Sequence, residues 1–404
     1  MRALWFTSLC LLIGCSDDSA GPARLDDAAA VYPDEAVSVD RAQFDVAIDS
    51  LLPSRDAEVP VDMRARSGDL GQTADGSTSM DSAVSSDASI ALDSEILELD
   101  SGGTEPVNAV SNRAIYRPIV TQDVVYGQGL RRQSWDSVEG EVVDLTLDIA
   151  VPQGAPEANR PALVIIHGGG FRSGDSRQGQ LREIAGFFVQ RGWVALSINY
   201  RLLRDHGSIP VRWPPFPVGD RTDQVNAMYP AGRDAKAAIR WLHANAELYG
   251  VHPDYITALG GSAGSYIAVM LGVSDPGDYR DEISVDDDPT LATTHLDARS
   301  DVATVIDHWG GATMIDLLQL RDGQNRFDSE DAPISIVHGR DDPTVVFALA
   351  EALRDACQSN DVPYAFYPFD GGHSAWNVTI DGRNLKRLAF DFIVEHQRLE
   401  LLEE

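Results

Sequence analysis

The sequence predicts an α/β fold, a mainly parallel sheet with helices on both faces, preceded by a disordered spacer. Three observations lead there. From about residue 114, strand-like runs alternate with helix-like runs, the pattern of a parallel sheet built from crossover units. Ala162–Ile166 is continuously apolar, as a strand covered on both faces must be. Upstream of residue 114 the composition lacks the apolar residues that a core needs.

Residues 1–15 read as an export signal. Met1 and Arg2 form a short charged region, and residues 3–13 are mostly apolar but too short to span a bilayer. They end in Leu12-Ile13-Gly14-Cys15, the pattern of a bacterial lipobox, in which Cys15 is acylated and becomes the mature N-terminus. An ordinary secretory signal with a chance cysteine is the alternative. The lipobox reading puts the protein in the bacterial cell envelope, anchored to a membrane by lipid and facing the periplasm or the cell exterior. Cys10 leaves with the signal and Cys15 carries lipid, so Cys357 has no partner and no intrachain disulfide is expected. Cys357 falls in a helix-like run and reads as a small packing residue.

Residues 16–113 are rich in Ser, Ala, Asp and Gly. They hold 21 Asp and Glu against six Arg and no Lys, and their only aromatics are Tyr32 and Phe44. Such a chain cannot offset its ordering entropy by apolar burial, so it reads as a self-repelling spacer between lipid and enzyme. The whole chain carries a formal net charge of −31. A generic positive field for phosphates is absent, which excludes nucleic acid as a partner.

Residues 114–404 form the folded domain. Val143–Val151 alternates apolar and polar residues, as a half-exposed antiparallel strand does. Further strands are expected at Ala162–Ile166, Trp193–Ile198, Tyr255–Leu259, Val302–His308, Ile334–Val337 and Tyr364–Tyr367. Helices are expected at Leu181–Gln190, Asp234–Leu248, Ser262–Leu271, Val345–Cys357 and Leu385–Gln397. Sites in such sheets form at the carboxyl ends of the strands, and each motif below directly follows a strand.

The central motif is Gly260-Gly261-Ser262-Ala263-Gly264, between a strand and a helix. A bare G-x-S-x-G is a weak signal, but the strand-turn-helix setting is that of a nucleophile elbow, with the Ser262 hydroxyl exposed at a helix N-terminus. The second motif is His167-Gly168-Gly169-Gly170-Phe171. Acyl transfer creates a negative oxygen that preorganised N–H groups must hold, and a glycine loop brings amides close with no Cβ in the way. The N–H groups of Gly169, Gly170 and Ala263 are assigned to this oxyanion hole. A phosphate loop is the other reading of such glycines, but no Gly-Lys-Ser/Thr follows. The third and fourth motifs are His338-Gly339-Arg340-Asp341-Asp342-Pro343 and Gly371-Gly372-His373-Ser374. A serine hydroxyl needs an imidazole to take its proton, and the imidazole needs a carboxylate to fix its tautomer. Ser262 is the candidate nucleophile, His373 the base and Asp342 the acid, with Asp341 the rival for the last role.

These motifs, with Asn199-Tyr200-Arg201-Leu202 and the run Asp234–Leu242, resemble the α/β-hydrolase carboxylesterases. Residues from about 140 to 400 are similar to the hormone-sensitive-lipase and bacterial feruloyl/acetyl-esterase (BD-FAE-like) groups. The resemblance implies ester hydrolysis through an acyl-enzyme, without a cofactor or metal. Ser265 departs from the glycine common after the elbow, which implies a small change in helix packing.

The remaining features leave alternatives open. Residues 202–232, with Trp213 and Phe216, read as a rim or small cap over the site, or as a surface loop packed on the sheet edge. Asp286-Asp287-Asp288 reads as a solvated turn rather than a calcium site. There is no His-Glu-x-x-His, so no catalytic zinc is expected. His308 is read as a packing residue or one near the site. The substrate class expected is a small-molecule or polysaccharide-linked ester. The competing functions are a serine peptidase of this fold, which usually carries a propeller domain, and a non-catalytic surface-binding lipoprotein.

Overall fold

Strand alternation decides the layering. In the computed structural model, which describes residues 109–402, neighbouring residues of the central strands enter different cores. Leu163 and Ile165 pack on one face, and Val164 and Ile166 pack on the other. The signal segment, Cys15 and residues 16–108 of the expected spacer lie outside the described residues.

In chain order the strands are β1 (Ala109–Val110), β2 (Arg117–Arg131), β3 (Glu141–Gln153), β4 (Arg160–Ile166), β5 (Val194–Ile198), β6 (Val251–Gly261), β7 (Thr304–His308), β8 (Ile334–Gly339), β9 (Tyr364–Phe369), β10 (Thr379–Ile380), β11 (Arg383–Asn384) and β12 (Glu400–Leu401). The helices are α1 (Gly179–Val189), α2 (Thr222–Ala244), α3 (Ala246–Tyr249), α4 (Ala263–Val273), α5 (Thr313–Asp322), α6 (Phe347–Ser359) and α7 (Leu385–His396). The main sheet has eight strands in the order β2-β3-β5-β4-β6-β7-β8-β9. Strands β2, β3 and β5 pair antiparallel, and the rest of the sheet is parallel. The predicted α/β class is therefore the observed one. Helices α1 and α7 cover one face through Leu181, Ile184, Phe188, Phe390 and Ile393. Helices α2, α4, α5 and α6 cover the other through Val225, Ile267, Leu317 and Leu353.

Register brings the motifs to one edge. Ile166 pairs with Gly260, Gly261 with His308, and Gly339 with Phe369. The residues that follow these strand ends therefore emerge side by side at the carboxyl end of the sheet.

Four expectations shift. The domain begins before residue 114, because Ala109–Val110 pairs with Glu400–Leu401 and Val110 is fully buried. Two paired residues carry little compositional signal, since their partners lie at the far end of the chain. Strand β2 is not among the expected strands; it is an edge strand whose N-terminal half is exposed, and Gly127 and Gly129 interrupt its pattern. Helix α2 starts at Thr222, twelve residues before Asp234, and runs through Pro230, which reads as a helix breaker in sequence. Helix α5 is likewise additional, with Met314, Ile315, Leu317 and Leu318 buried.

The aspartate run is not simply solvated. Asp288 is fully buried and accepts from Ser208 Oγ at 2.5 Å, while Ser208 Oγ accepts from Arg132 at 2.8 Å. It thereby fastens the 202–232 segment. Trp213 of that segment is buried, donates to the Val225 carbonyl at 3.0 Å and packs edge-on against Tyr229. Arg201 and Asp234, both from the motifs above, form a buried ion pair at 2.6 Å.

Candidate active site

Ser262 sits between β6 and α4 with φ 57° and ψ −125°, a conformation that side chains rarely adopt. The turn is that tight because its neighbours are glycines. A Cβ on Gly260 would lie 2.1 Å from the Gly264 backbone, and one on Gly264 would lie 2.2 Å from the Ile166 carbonyl oxygen. The Ser262 N–H donates to the His308 carbonyl at 3.0 Å, tying the elbow to β7. The same economy governs the glycine loop. Gly169 and Gly170 have φ of 114° and 62°, and a Cβ on Gly168 would meet the Gly261 carbonyl at 2.7 Å. The loop backbone thus lies directly against the elbow. Ala263 opens α4, so its N–H has no partner within the helix.

His373 bridges the other two candidates. Its Nε2 lies 3.0 Å from Ser262 Oγ, and its Nδ1 lies 2.7 Å from Asp342 Oδ2. Asp342 is buried, and its other oxygen, Oδ1, accepts the Thr344 and Val345 N–H groups at 2.8 and 3.0 Å. Burial works to raise the Asp342 pKa, but His373 and those two N–H groups outweigh it and hold the carboxyl below its ordinary range. Asp341, the rival, is exposed, and its backbone N–H donates to the Gly371 carbonyl at 3.0 Å. A hydroxyl, an imidazole and a buried carboxylate in this order can pass a proton from the hydroxyl to the ring, making the oxygen nucleophilic.

Ser262, Ala263, Gly168–Gly170 and His373 line one cleft of ≈ 680 Å³. With the glycine loop against the elbow, that cleft can receive a carbonyl group beside the Ser262 hydroxyl. No group of His, Cys, Asp and Glu able to hold a metal occurs among the described residues.

Comparison with known proteins follows the same residues. The BD-FAE family model matches residues 147–211 and 220–330, which contain the glycine loop and the elbow. A truncated carbohydrate esterase from gut microbiota shares the fold, with 20% identity, a TM-score of 0.50, and coverage of 72% of this chain and 99% of that one. The chain has an α/β-hydrolase fold and is similar to the BD-FAE family over the matched residues. Esterase LipQ of Mycobacterium tuberculosis is 27% identical over 306 residues, covering 68% of this chain. Carboxylesterase 1F of Mus musculus is 30% identical over 176 residues, covering 42% of this chain. The chain spans 62% of the length of the first relative and 29% of the second. The family match ends before Asp342 and His373, so those two rest on motif and geometry.

The cleft also takes residues that no motif marked. Gln224 from the start of α2 donates to the Gly170 carbonyl at 3.1 Å, so part of the 202–232 segment is a rim, while Trp213 is packing. Tyr266, Trp309, Thr344 and Trp376 also line the cleft. Trp309 follows β7 directly and Trp376 follows His373 by three residues; proximity to a strand end was the available signal. His308 is the last residue of β7, where the sequence places the strand's end. Burial pushes its pKa down to about 3, leaving a neutral ring. Cys357 is buried in α6 and its thiol is pushed up to about 12, consistent with packing. Ser265, the departure from the family pattern, donates from Oγ to Asp307, which also accepts the Gly310 N–H at 3.0 Å. That bond fastens α4 to the turn carrying Trp309. Burial pushes Asp307 up to about 7 against these hydrogen bonds.

Proposed function

We propose that the chain is a serine carboxylic-ester hydrolase working through an acyl-enzyme. The observation that carries this reading is the Asp342–His373–Ser262 relay, with separations of 2.7 and 3.0 Å, beside a loop of glycine amides. Esterases among the relatives support the same bond type. Ser262 Oγ attacks the ester carbonyl while His373 Nε2 takes its proton. The developing oxyanion is held by the N–H groups of Gly169, Gly170 and Ala263. His373 then protonates the departing alcohol, and a water deprotonated by His373 releases the acid and frees Ser262. Asp342 keeps the ring in the productive tautomer throughout.

The substrate is a small-molecule or polysaccharide-linked ester. The enzyme is held at a bacterial membrane by lipid on Cys15, facing the periplasm or the exterior, with residues 16–108 as a spacer. The lipobox and the acidic composition support these two points.

A fluorophosphonate probe tests the catalytic reading. The wild-type protein is expected to label once and to hydrolyse 4-nitrophenyl acetate, and Ser262→Ala is expected to do neither while staying folded. Losing such a serine costs on the order of 10⁶ in kcat. Equal labelling of the two proteins would exclude Ser262 as the nucleophile.

A further inference from the structure

We infer that the interior between α2 and the 274–300 insertion is a binding site for a monatomic anion, chloride, coordinated by Arg233 and Arg240. Neither residue lines the catalytic cleft, and the inference stands apart from the esterase reading.

Charge carries the argument. Arg201, Arg233, Lys236 and Arg240 are at most 4% exposed, and the carboxylates buried with them are Asp234 and Asp288. Four cations therefore meet two anions in a medium that screens charge poorly. Arg201 occupies both oxygens of Asp234, with its backbone N–H at 2.8 Å and its Nη2 at 2.6 Å. Asp288 accepts from the Ser208 and Thr290 hydroxyls rather than from a guanidinium. The carboxylates next out are engaged as well, Glu282 with Arg321 at 3.3 Å and Asp281 with Arg280 at 2.6 Å. Lys236 donates to a neutral acceptor, the Asp275 carbonyl, at 2.6 Å.

Arg233 and Arg240 are left over. Neither Nη1 nor Nη2 of Arg233 has a hydrogen-bond partner among the described residues. Arg240 donates from Nε to the Thr294 carbonyl at 2.8 Å, but its Nη1 has no partner among them either. No ion pair holds Arg233 or Arg240 among the described residues. Seven residues apart on α2, the two share a helix face, two turns or about 10 Å apart along the axis, a span that two arginine side chains can close. Burial, with the charge of Arg233 behind it, pushes Arg240 down to about 10, still well above neutrality. An arginine in a protein has no escape by losing its proton. Water would satisfy the three nitrogens and leave the charge excess, whereas an anion answers both. A spherical ion accepts from any direction; a phosphate or a carboxylic acid would bring several oxygens for which these three donors are too few. Because Arg240 holds Thr294 and the buried Asp288 lies in the same turn, an ion here ties the insertion to α2.

The test reads the thermal unfolding midpoint of the full-length protein in sodium chloride and in sodium gluconate at matched ionic strength. In chloride the midpoint is expected to rise by about 3 °C for each tenfold increase above the binding midpoint, and in gluconate to stay level. Arg233→Met, which keeps the bulk and removes the charge, is expected to lose the chloride-specific rise. Bromide soaked into crystals of the wild-type protein is expected to give an anomalous peak in contact with the Arg233 and Arg240 guanidinium groups, and this serves if the variant fails to fold. Equal midpoints in the two salts, an undiminished chloride effect in Arg233→Met, or no bromide peak at this place would each overturn the site. Ester turnover enters none of these readouts.

Discussion

Replacing Asp342 by Asn tests the relay most sharply, because the surroundings dictate how the amide must sit. Thr344 and Val345 both aim N–H groups at Oδ1, at 2.8 and 3.0 Å. Only an acceptor fits there, so the amide carbonyl of Asp342→Asn takes the Oδ1 position and the NH₂ faces His373. The NH₂ donates to Nδ1, which drives the imidazole proton onto Nε2. Nε2 lies 3.0 Å from Ser262 Oγ and can then no longer accept the serine proton. The same change in a serine protease lowers kcat by about 10⁴, and a loss of that order is expected here. Asp341→Asn, at an exposed side chain, is expected to stay within about twofold of wild type, the effect of an ordinary surface change. Steady-state hydrolysis of 4-nitrophenyl acetate gives kcat, and circular dichroism checks the fold. A large loss in Asp341→Asn with Asp342→Asn near wild type would show that the wrong aspartate has been chosen. Near-normal activity in the double variant would refute the carboxylate's role altogether.

Three further outcomes are expected. Deleting residues 16–108 should leave kcat unchanged, whereas extending the deletion through residue 113 removes the buried Val110 and should lower stability by about 2 kcal/mol, read by urea denaturation; equal stability would mean that β1 contributes nothing. Asp307 is raised from 3.8 to about 7, so the folded state keeps a proton that the unfolded chain releases. Stability should therefore fall as pH rises from about 4 to 7, and Asp307→Asn should flatten that slope; an unaltered slope would place the dependence elsewhere. Cys15→Ala should move the protein from the membrane to the soluble fraction, since acyl chains supply about 0.8 kcal/mol per buried CH₂, and retention in the membrane fraction would rule out the lipid anchor.

Much of the site was legible because its marks are local. Gly260 and Gly264 bracket Ser262 since any side chain there would strike backbone, and that constraint is written within five residues. The continuous apolar run before the glycine loop likewise announces a strand buried on both faces, and hence the position of Gly169 and Gly170 at its carboxyl end. Helix α2 was only half legible, because Pro230 is a local signal against helix while the burial that sustains it comes from the sheet and helices packed on the same face.

The sequence by itself determined the fold class, most of the strands and helices that carry the motifs, and the candidates Ser262 and His373, because periodicity and glycine geometry act over a few residues. Only the tertiary structure decided which aspartate meets His373, since that contact closes 31 residues of chain and the two aspartates are neighbours. It alone joined His373 to Ser262 across 111 residues, through the register of parallel strands. It alone revealed that Val110 belongs to the core and that Trp309 and Trp376 wall the cleft. Those facts depend on which distant surfaces pack together, and no short stretch of residues encodes a distance between elements far apart in the chain.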